Sequence, residues 1–370
     1  MKILVVGGGI GGMSAAIALA QSGHEIELID IDPAWRVYGA GITITGPTLR
    51  AYRRLGMLEA IKAQGAITNG ARIFASDGTF LNQLDEPVLE EGLPATGGIM
   101  RPVLHRIMQQ RVKMLDINVQ LGLTVDSLAQ DDTGVSVTFS DGRRDRMDLV
   151  IGADGILSRV RSLIFPGQLE PQETGQACWR ISMKRPAGFE RGEFYLGGAA
   201  PAGITACSPT EIYMWMLTRH EPGSWMPDDE AFDRLHAELA GYGGTIAWIR
   251  ENMQRSDWVN YRPLAAVLQP EPWAIGRIAL LGDAAHATTP HLASGAGMAV
   301  EDALVLAEEL ALADRSVSAS LLAYSARRFP RCRDVVETSV GVGNMQLDGA
   351  PAEVVGSHIG AGLHRLAAEY

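Results

Sequence analysis

The segment Lys2-Ile-Leu-Val-Val-Gly-Gly-Gly-Ile-Gly-Gly-Met13 constrains the fold more than any other part of the chain. An apolar strand runs into glycines in G-x-G-x-x-G register. Gly7 permits a tight turn, Gly9 lets a phosphate approach the backbone, and Gly12 lets the following helix pack on the strand. Ile10 and Gly11 open that helix, which the Ala- and Leu-rich run Ile10 to Gln21 supports. Glu25-Ile-Glu-Leu-Ile-Asp30 reads as the next strand, and its terminal acid stands 18 residues after Gly12, where a carboxylate accepts from a ribose 2′-OH. An acid there repels a 2′-phosphate, so the site suits FAD or NAD and argues against NADP. A second glycine–aspartate segment, Ile278-Ala-Leu-Leu-Gly-Asp-Ala-Ala-His286, follows another short strand and leads into Ser294-Gly-Ala-Gly297 ahead of a helical run. One fingerprint says only that a pyrophosphate docks on a helix N-terminus. Two such sites at opposite ends of the chain predict a ligand held at both ends, as FAD is.

Composition removes several function classes. The net charge is −11 with no basic stripe, which argues against nucleic acid as a partner. The N-terminus mimics a secretory signal, with Lys2, an apolar stretch and Ala18-Leu-Ala20, but five glycines between Gly7 and Gly12 interrupt the apolar run. No stretch reaches the roughly 18 uninterrupted apolar residues of a membrane span. Cys178, Cys207 and Cys332 lack CxxC or metal-ligand spacing, so reduced thiols in the cytoplasm and no metal are expected.

The length and pattern predict two interleaved units of α/β class. A Rossmann-like cofactor domain takes residues 1–69, 99–170 and 264–315; a smaller mixed-sheet substrate domain takes 70–98 and 171–263; and 316–370 is a C-terminal helical segment. Pro47 suits a first helical turn. Arg72 to Leu81 reads as a hairpin around Asp77-Gly78, and a helix starts near Pro102. Strands at Asn118–Leu121, Thr124–Leu128, Val135–Phe139 and Met147–Ile151 read as a meander. Tyr213, Trp215 and Leu217 alternate with Ile212, Met214 and Met216, so the rings share one strand face, which is either core packing or a wall over a planar substrate. After Gly295 the chain reads as helix, Met298–Leu312 and then Val317 onward, with Pro330 marking a kink or break.

Three ordered segments resemble the signatures of the single-component flavoprotein aromatic hydroxylases, the para-hydroxybenzoate hydroxylase-like family. They are the glycine fingerprint, the run Asp148 to Arg161 that contains Asp154-Gly155, and the run Gly282 to Asp302. Gly39-Ala-Gly41-Ile42, Arg101 before Leu104, and Tyr324 to Arg331 are weaker matches. Pro290-His291 ahead of Gly295-Ala-Gly297 most resembles the salicylate-hydroxylase-like branch. The resemblance implies FAD contacts at Gly7, Gly9, Ile10, Gly11, Gly12, Asp30 and Gly41. It puts Arg101 against the FAD from the long helix, and Asp154 near the pyrophosphate with Arg161 holding that turn. Asp283 falls on the ribityl chain, Pro290 along the flavin ring, and the backbone of Gly295, Ala296, Gly297 and Met298 at its pyrimidine end. Ala299 stands where many members carry Asn, and Ile31 where many place Arg after the ribose-binding acid.

The implied reaction is hydroxylation of a small aromatic or N-heteroaromatic substrate. NADH or NADPH is the transient electron donor, with no second dinucleotide fold, and O2 reacts through a flavin C4a-hydroperoxide. A monomer or homodimer is expected. His291 and then Tyr213 are the candidates for removing a substrate proton, against the plain readings of a loop cap and a core ring. His286 reads as structural. An NAD-dependent dehydrogenase would leave Gly282-Asp283 and Gly295 to Gly297 unexplained, and a non-oxygenating flavoprotein would leave the aromatic middle region unexplained.

Overall fold

The computed structural model describes residues 1–37, 39–165, 167 and 169–370. Lys2–Val6, whose residues from Ile3 to Val6 are buried on both faces, is the centre of a six-stranded sheet. Such an apolar run is what a strand covered by helices on both sides requires. Its neighbours are Glu25–Asp30 and Leu149–Gly152, both parallel to it, followed by Asn118–Leu121 on one side and Ile278–Leu280 on the other, also parallel. Ala274–Ile275 closes that edge antiparallel. In this register Val6 lies beside Ile29 and Gly152, and Gly152 beside Leu280. Parallel pairing thus brings the three strand ends that carry the three motifs to one edge of one sheet.

The sheet corrects two sequence expectations. Asn118–Leu121 is the outermost parallel strand of this sheet, so the antiparallel meander is confined to Val125–Gln130, Val135–Phe139 and Arg144–Met147. The run expected as one strand from Met147 to Ile151 is split at Asp148, whose carboxylate accepts from the Lys2 backbone N–H at 2.7 Å. Leu149–Gly152 is buried throughout and belongs in the parallel layer, whereas Arg144-Asp-Arg146 is exposed.

A second, seven-stranded sheet runs in the order Val259–Ala266, Gln172–Lys184, Glu211–Arg219, Ala202–Ala206, Gly192–Leu196, Gly70–Ala75 and Phe80–Asp85. Only the pair Gly192–Leu196 and Gly70–Ala75 is parallel. One face carries Trp179, Ile181, Ile204, Ile212, Met214 and Met216 into a core shared with the helices Ala231–Glu238 and Gly244–Asn252. The ring face of Tyr213 and Trp215 is the other one: there Tyr213 packs with Ala40 and Cys207, Leu217 packs with Cys178 and Leu264, and half-buried Trp215 touches both groups. A small sheet of Gly41–Thr45, Thr96–Met100 and Ala66–Thr68 bridges the two large sheets. Thr43 and Thr205 meet hydroxyl to hydroxyl at 3.0 Å, and Gly98 has no room for a side chain against Thr205 and the Ala206 carbonyl.

The helix Val317–Leu347 runs unbroken through Pro330, so of the expected kink or break the break does not occur. Pro330 is exposed, while Tyr324, Ser325, Arg328 and Cys332 are buried on the opposite side. Packing on that face outweighs the missing N–H. No helix among the described residues is long and apolar enough to cross a membrane.

Candidate active site

Glycine geometry fixes the first turn at the carboxyl edge. Gly7 has φ +108°, a conformation open to glycine, and its Cβ position is filled by the Ala153 backbone. A Cβ on Gly12 would collide with the Gly7 carbonyl, and one on Gly11 would sit 3.0 Å from Leu281. Gly9 differs. It is the N-cap of the helix Ile10–Gln21, no side chain caps it, and nothing lies within 4 Å of where its Cβ would be. Asp30 ends its strand beside this turn, with Oδ2 accepting from Gly8 N–H at 2.6 Å and Oδ1 from Asp32 N–H at 2.7 Å.

The second and third motifs interlock. Asp154 accepts from Ser158 Oγ at 2.5 Å and Val160 N–H at 3.0 Å, so its carboxyl organises its own turn. Arg161 donates to the Ile156 carbonyl at 2.7 Å and to the Ala284 carbonyl at 2.8 Å, tying this turn to the Gly282 segment. Gly282 takes φ +63° and caps the short helix Asp283–His286. Pro290 begins a single 3₁₀ turn, Pro290–Leu292, and the helix Gly295–Leu310 follows. Its first residues, Gly295, Ala296, Gly297 and Met298, also lack a side-chain cap, because Ser294 Oγ donates instead to the Leu292 carbonyl. Gly297 is held close by Thr48.

Two uncapped helix N-termini and an open Gly9 therefore line one cleft. Asp283 keeps an accessible surface there although protein surrounds it, the situation of a group on a cleft wall. Burial raises its pKa, opposed by His286 and Arg101. These residues fit FAD: free N–H groups and a Cβ-free approach suit its pyrophosphate, and a polar side chain lies between the two helix ends.

Gly39 to Gly41 and the second sheet complete the cleft. Arg101 opens the helix Arg101–Met114, donates its backbone N–H to the Ala40 carbonyl at 3.1 Å, and lays its side chain where a Gly39 Cβ would be, 2.8 Å from its Cδ. A Cβ on Gly41 would lie 2.6 Å from that of Tyr213 and would also strike Cys207. Burial lowers the Arg101 pKa, and the Arg180 guanidinium lowers it further. Arg180, in the strand Gln172–Lys184, lies directly opposite Trp215 and on the same strand face as Tyr213. Burial pushes the Tyr213 phenol up to about 12; Cys178 adds to this, and Arg180 and Arg101 oppose it. Tyr213 thus stays protonated near neutral pH.

His291 is placed differently from what proton removal requires. Its Nδ1 is 2.9 Å from Thr289 Oγ1 and its Nε2 3.1 Å from Gln346 Oε1, so both ring nitrogens have protein partners. Burial lowers its pKa to about 4. It joins the loop after the short helix Asp283–His286 to the helix Val317–Leu347, where Gly343 leaves room for its ring. His286 lies beneath the Gly282 turn, its Nε2 2.6 Å from Asp302 Oδ2. That oxygen also accepts from Gly282 N–H at 3.0 Å, and Asp302 Oδ1 accepts from Arg328 at 2.7 Å. Cys332 completes a buried trio with His286 and Asp302 whose ligand atoms lie within 4.8 Å of one another. The Arg328 guanidinium on the same carboxylate already supplies the cluster's positive charge.

Two site residues have no motif to announce them. Arg180 is signalled only by a cation inside the apolar run Ala177-Cys-Trp-Arg-Ile181. Trp35, left-handed at φ +47°, donates its indole N–H to the Gly8 carbonyl at 2.9 Å and meets His105 edge-on at 5.8 Å. It stands beside Asp30, at the end of the cleft where Ile31 offers no charge.

A family model described as "FAD binding domain" matches residues 1–339. The YetM protein of Bacillus subtilis is 34% identical over 361 residues, covering 96% of each chain. The aurachin C monooxygenase/isomerase of Stigmatella aurantiaca is 30% identical over 358 residues, covering 93% of this chain and 89% of that one. The crystal structure of Klebsiella pneumoniae HpxO complexed with FAD and uric acid superposes with a TM-score of 0.86 at 25% identity, covering 98% of this chain and 97% of that one. With the cleft built as described, the chain belongs to this FAD-binding family and is an FAD-dependent monooxygenase of the flavoprotein aromatic-hydroxylase type.

Proposed function

We propose that FAD lies along the carboxyl edge of the six-stranded sheet and that a small aromatic or N-heteroaromatic ring, bound under the aromatic face of the second sheet, is hydroxylated with NADH or NADPH as electron donor and O2 as oxygen source. The observation that carries this reading is the convergence of three strand-end turns and two uncapped helix N-termini on one cleft, faced by Tyr213 and Trp215. In the proposed arrangement the pyrophosphate runs over Gly9 to Gly12, a ribose meets Asp30, the ribityl chain meets Asp283, and the isoalloxazine rests against Pro290 and Gly295 to Met298. When bound, the flavin supplies the redox chemistry, taking electrons from the nicotinamide and passing one oxygen atom of O2 to the substrate ring.

The chain's own residues do the rest. The N-terminus of the helix Gly295–Leu310 favours negative charge on the reduced ring beside it. Tyr213 stays protonated and does not act as a base near neutral pH. Trp215 and Phe194, edge to face at 5.9 Å, make an apolar wall that keeps water from the reacting atoms. His291 holds the loop as a neutral imidazole with both ring nitrogens hydrogen-bonded, and it is not the base. Residues 1–69, 99–170 and 264–315 are assigned to the cofactor, 70–98 and 171–263 to the substrate, and 316–370 to bracing both. The three buried free thiols suit a reducing compartment such as the cytoplasm.

The uric acid of the HpxO complex and the aurachin of the second relative make N-heteroaromatics the first compounds to try. FAD-loaded protein is supplied with NADH or NADPH and ¹⁸O2 over a panel of hydroxylated quinolines, pyridines, purines and benzoates. At least one should gain a single labelled oxygen while NAD(P)H is consumed. Flavin reduction with no label in any product would sink the oxygenase assignment and leave an electron-transfer flavoprotein.

A further inference from the structure

The half of the second sheet that runs out to its edge inverts the polarity expected of a sheet covered on one side. In the strand Gly192–Leu196, Tyr195 packs into the core, and Glu193, on the same face, is buried with its carboxylate accepting from the Tyr195 hydroxyl at 2.8 Å. Strand alternation then turns Gly192, Phe194 and Leu196 to the other face. In Gly70–Ala75, Phe74 packs against that same core, Arg72 shares its face, and Ala71, Ile73 and Ala75 turn the other way. A mostly antiparallel sheet with one covered face ordinarily points polar side chains outward on the other. Here a glutamate and an arginine stand on the covered face, and the outward one carries only apolar side chains and glycine from these two strands. Phe194 is 36% exposed, and Leu84, opposite Ala71 in the edge strand, is 50% exposed. Ile73 and Leu196 are half-buried and belong to neither sheet's core.

These residues form one strip, and it begins at the aromatic wall. Trp215, Gly203, Phe194 and Ile73 lie directly across from one another in four neighbouring strands. A Cβ on Gly203 would meet the Trp215 indole at 2.5 Å, so the indole lies over Gly203 toward Phe194, whose ring it meets at 5.9 Å. From the strand of Trp215 to that of Ile73 is three strand spacings, about 14 Å. The row ends at Asn82, opposite Ile73, whose Oδ1 accepts from the Gln83 N–H at 2.8 Å.

Contiguous exposed apolar surface marks a binding site, whereas scattered residues do not. Shape and charge decide between occupants. The strip is one or two side chains wide, far short of the about 800 Å² per partner that a stable dimer buries. A net charge of −11 works against an anionic membrane surface. With no charged side chain along it and its inner end at Trp215, the strip fits an aliphatic chain attached to the ring that Trp215 faces.

We propose that Phe194, Ile73 and Leu196 form a tail subsite: the substrate ring carries an aliphatic chain, alkyl or prenyl, that leaves the ring at Trp215 and lies across the strands toward the sheet edge. This inference rests on the monooxygenase reading above and narrows its substrate class.

The test uses FAD-loaded protein and two probe series, 4-alkylphenols and 2-alkylquinolin-4-ols, each with methyl, propyl and heptyl chains. Binding is read from the perturbation of the bound flavin spectrum, without turnover. In at least one series affinity should rise about two- to fourfold per added methylene, the range for burying a CH₂ group. Ile73→Thr and Leu196→Thr keep a residue that strands accept. Each should retain its FAD titration and its affinity for the methyl member, while flattening the rise. Equal affinity along both series, or no perturbation by any member, overturns the proposal, and so does a full rise kept in both variants. Sedimentation of the FAD-loaded protein tests the other occupant: a dimer that Ile73→Thr dissociates would assign the strip to a second copy and overturn the tail. The wild-type series decides even if the variants fail to fold. A yellow protein with two flat series would leave the monooxygenase reading standing, whereas one that takes up no FAD would remove that reading before any probe is added.

Discussion

Gly9 and Gly12 sit three residues apart and are glycine for different reasons, which mutation can separate. A Cβ on Gly12 meets the Gly7 carbonyl, so Gly12→Ala strains the strand–helix packing itself and should lower the stability of the apoprotein. A Cβ on Gly9 meets nothing within 4 Å. Gly9→Val should therefore leave the apoprotein folded, with a Tm within a few degrees of wild type, and weaken FAD roughly ten- to a hundredfold by filling the pyrophosphate's approach. Thermal denaturation of apoprotein and titration with FAD distinguish the two; normal FAD affinity in Gly9→Val would remove the fingerprint from the cofactor site. His291 gives a pH prediction. Burial holds its pKa at about 4, below the ordinary 6.5, so the unfolded chain binds the extra proton first as pH falls. Its contribution to stability is complete above about 6.5 and is lost between about 6.5 and 4. His291→Gln should flatten the Tm profile over that window, and an unchanged slope would show that the ring is not held neutral.

At the scale of elements, the third motif is held from below by the helix Val317–Leu347. Burial disfavours ionised Asp302, but His286 and Arg328 outweigh it and hold its carboxyl down to about 2. Arg328 lies 2.7 Å from Asp302 and 2.9 Å from Glu301, and all three are completely buried. Arg331 shares Glu301 at 2.8 Å. Removing one member leaves buried charge uncompensated, which typically costs about 3–5 kcal/mol. Arg328→Met should lose stability on that scale in urea denaturation. It should also loosen FAD, because Asp302 accepts from the Gly282 N–H at the turn that carries Asp283. A loss below about 1 kcal/mol would mean that Arg331 and His286 suffice to hold the turn.

Over the whole molecule, the same helix joins both sheets. Tyr324 donates to the Leu280 carbonyl at 3.0 Å, Ser325 Oγ accepts from Trp273 N–H at 2.9 Å, and Gln346 accepts from Gln176 at 3.0 Å. FAD between the sheets should stabilise the molecule by mass action, about 2.7 kcal/mol at a hundredfold excess over Kd. If Asp283 meets the cofactor as proposed, Asp283→Ala should keep the apoprotein Tm while shrinking the FAD-dependent rise in Tm. A full-sized rise in that variant would take Asp283 off the cofactor.

Much of this was legible because it is local. Strand, glycine turn, helix and terminal acid are all written within residues 2 to 30, and the hairpin around Asp77-Gly78 follows from its own turn residues. The alternation of Tyr213, Trp215 and Leu217 with Ile212, Met214 and Met216 specified two strand faces. It did not specify which face was core, because two helices cover the methionines and only tertiary packing assigns them there. Pro330 reads as a kink or break because local propensity cannot weigh the buried face that carries the helix through it. His291 looked available because its motif is silent about Gln346, which the fold brings 3.1 Å from its ring. Arg180 had no motif, and its place on the ring face depends on strand pairing that sets it opposite Trp215. The sequence by itself determined the cofactor and the sheet that holds it, since backbone turns are set by neighbouring residues. Tertiary structure alone decided which side chains face the substrate, since that depends on register and on what covers each face.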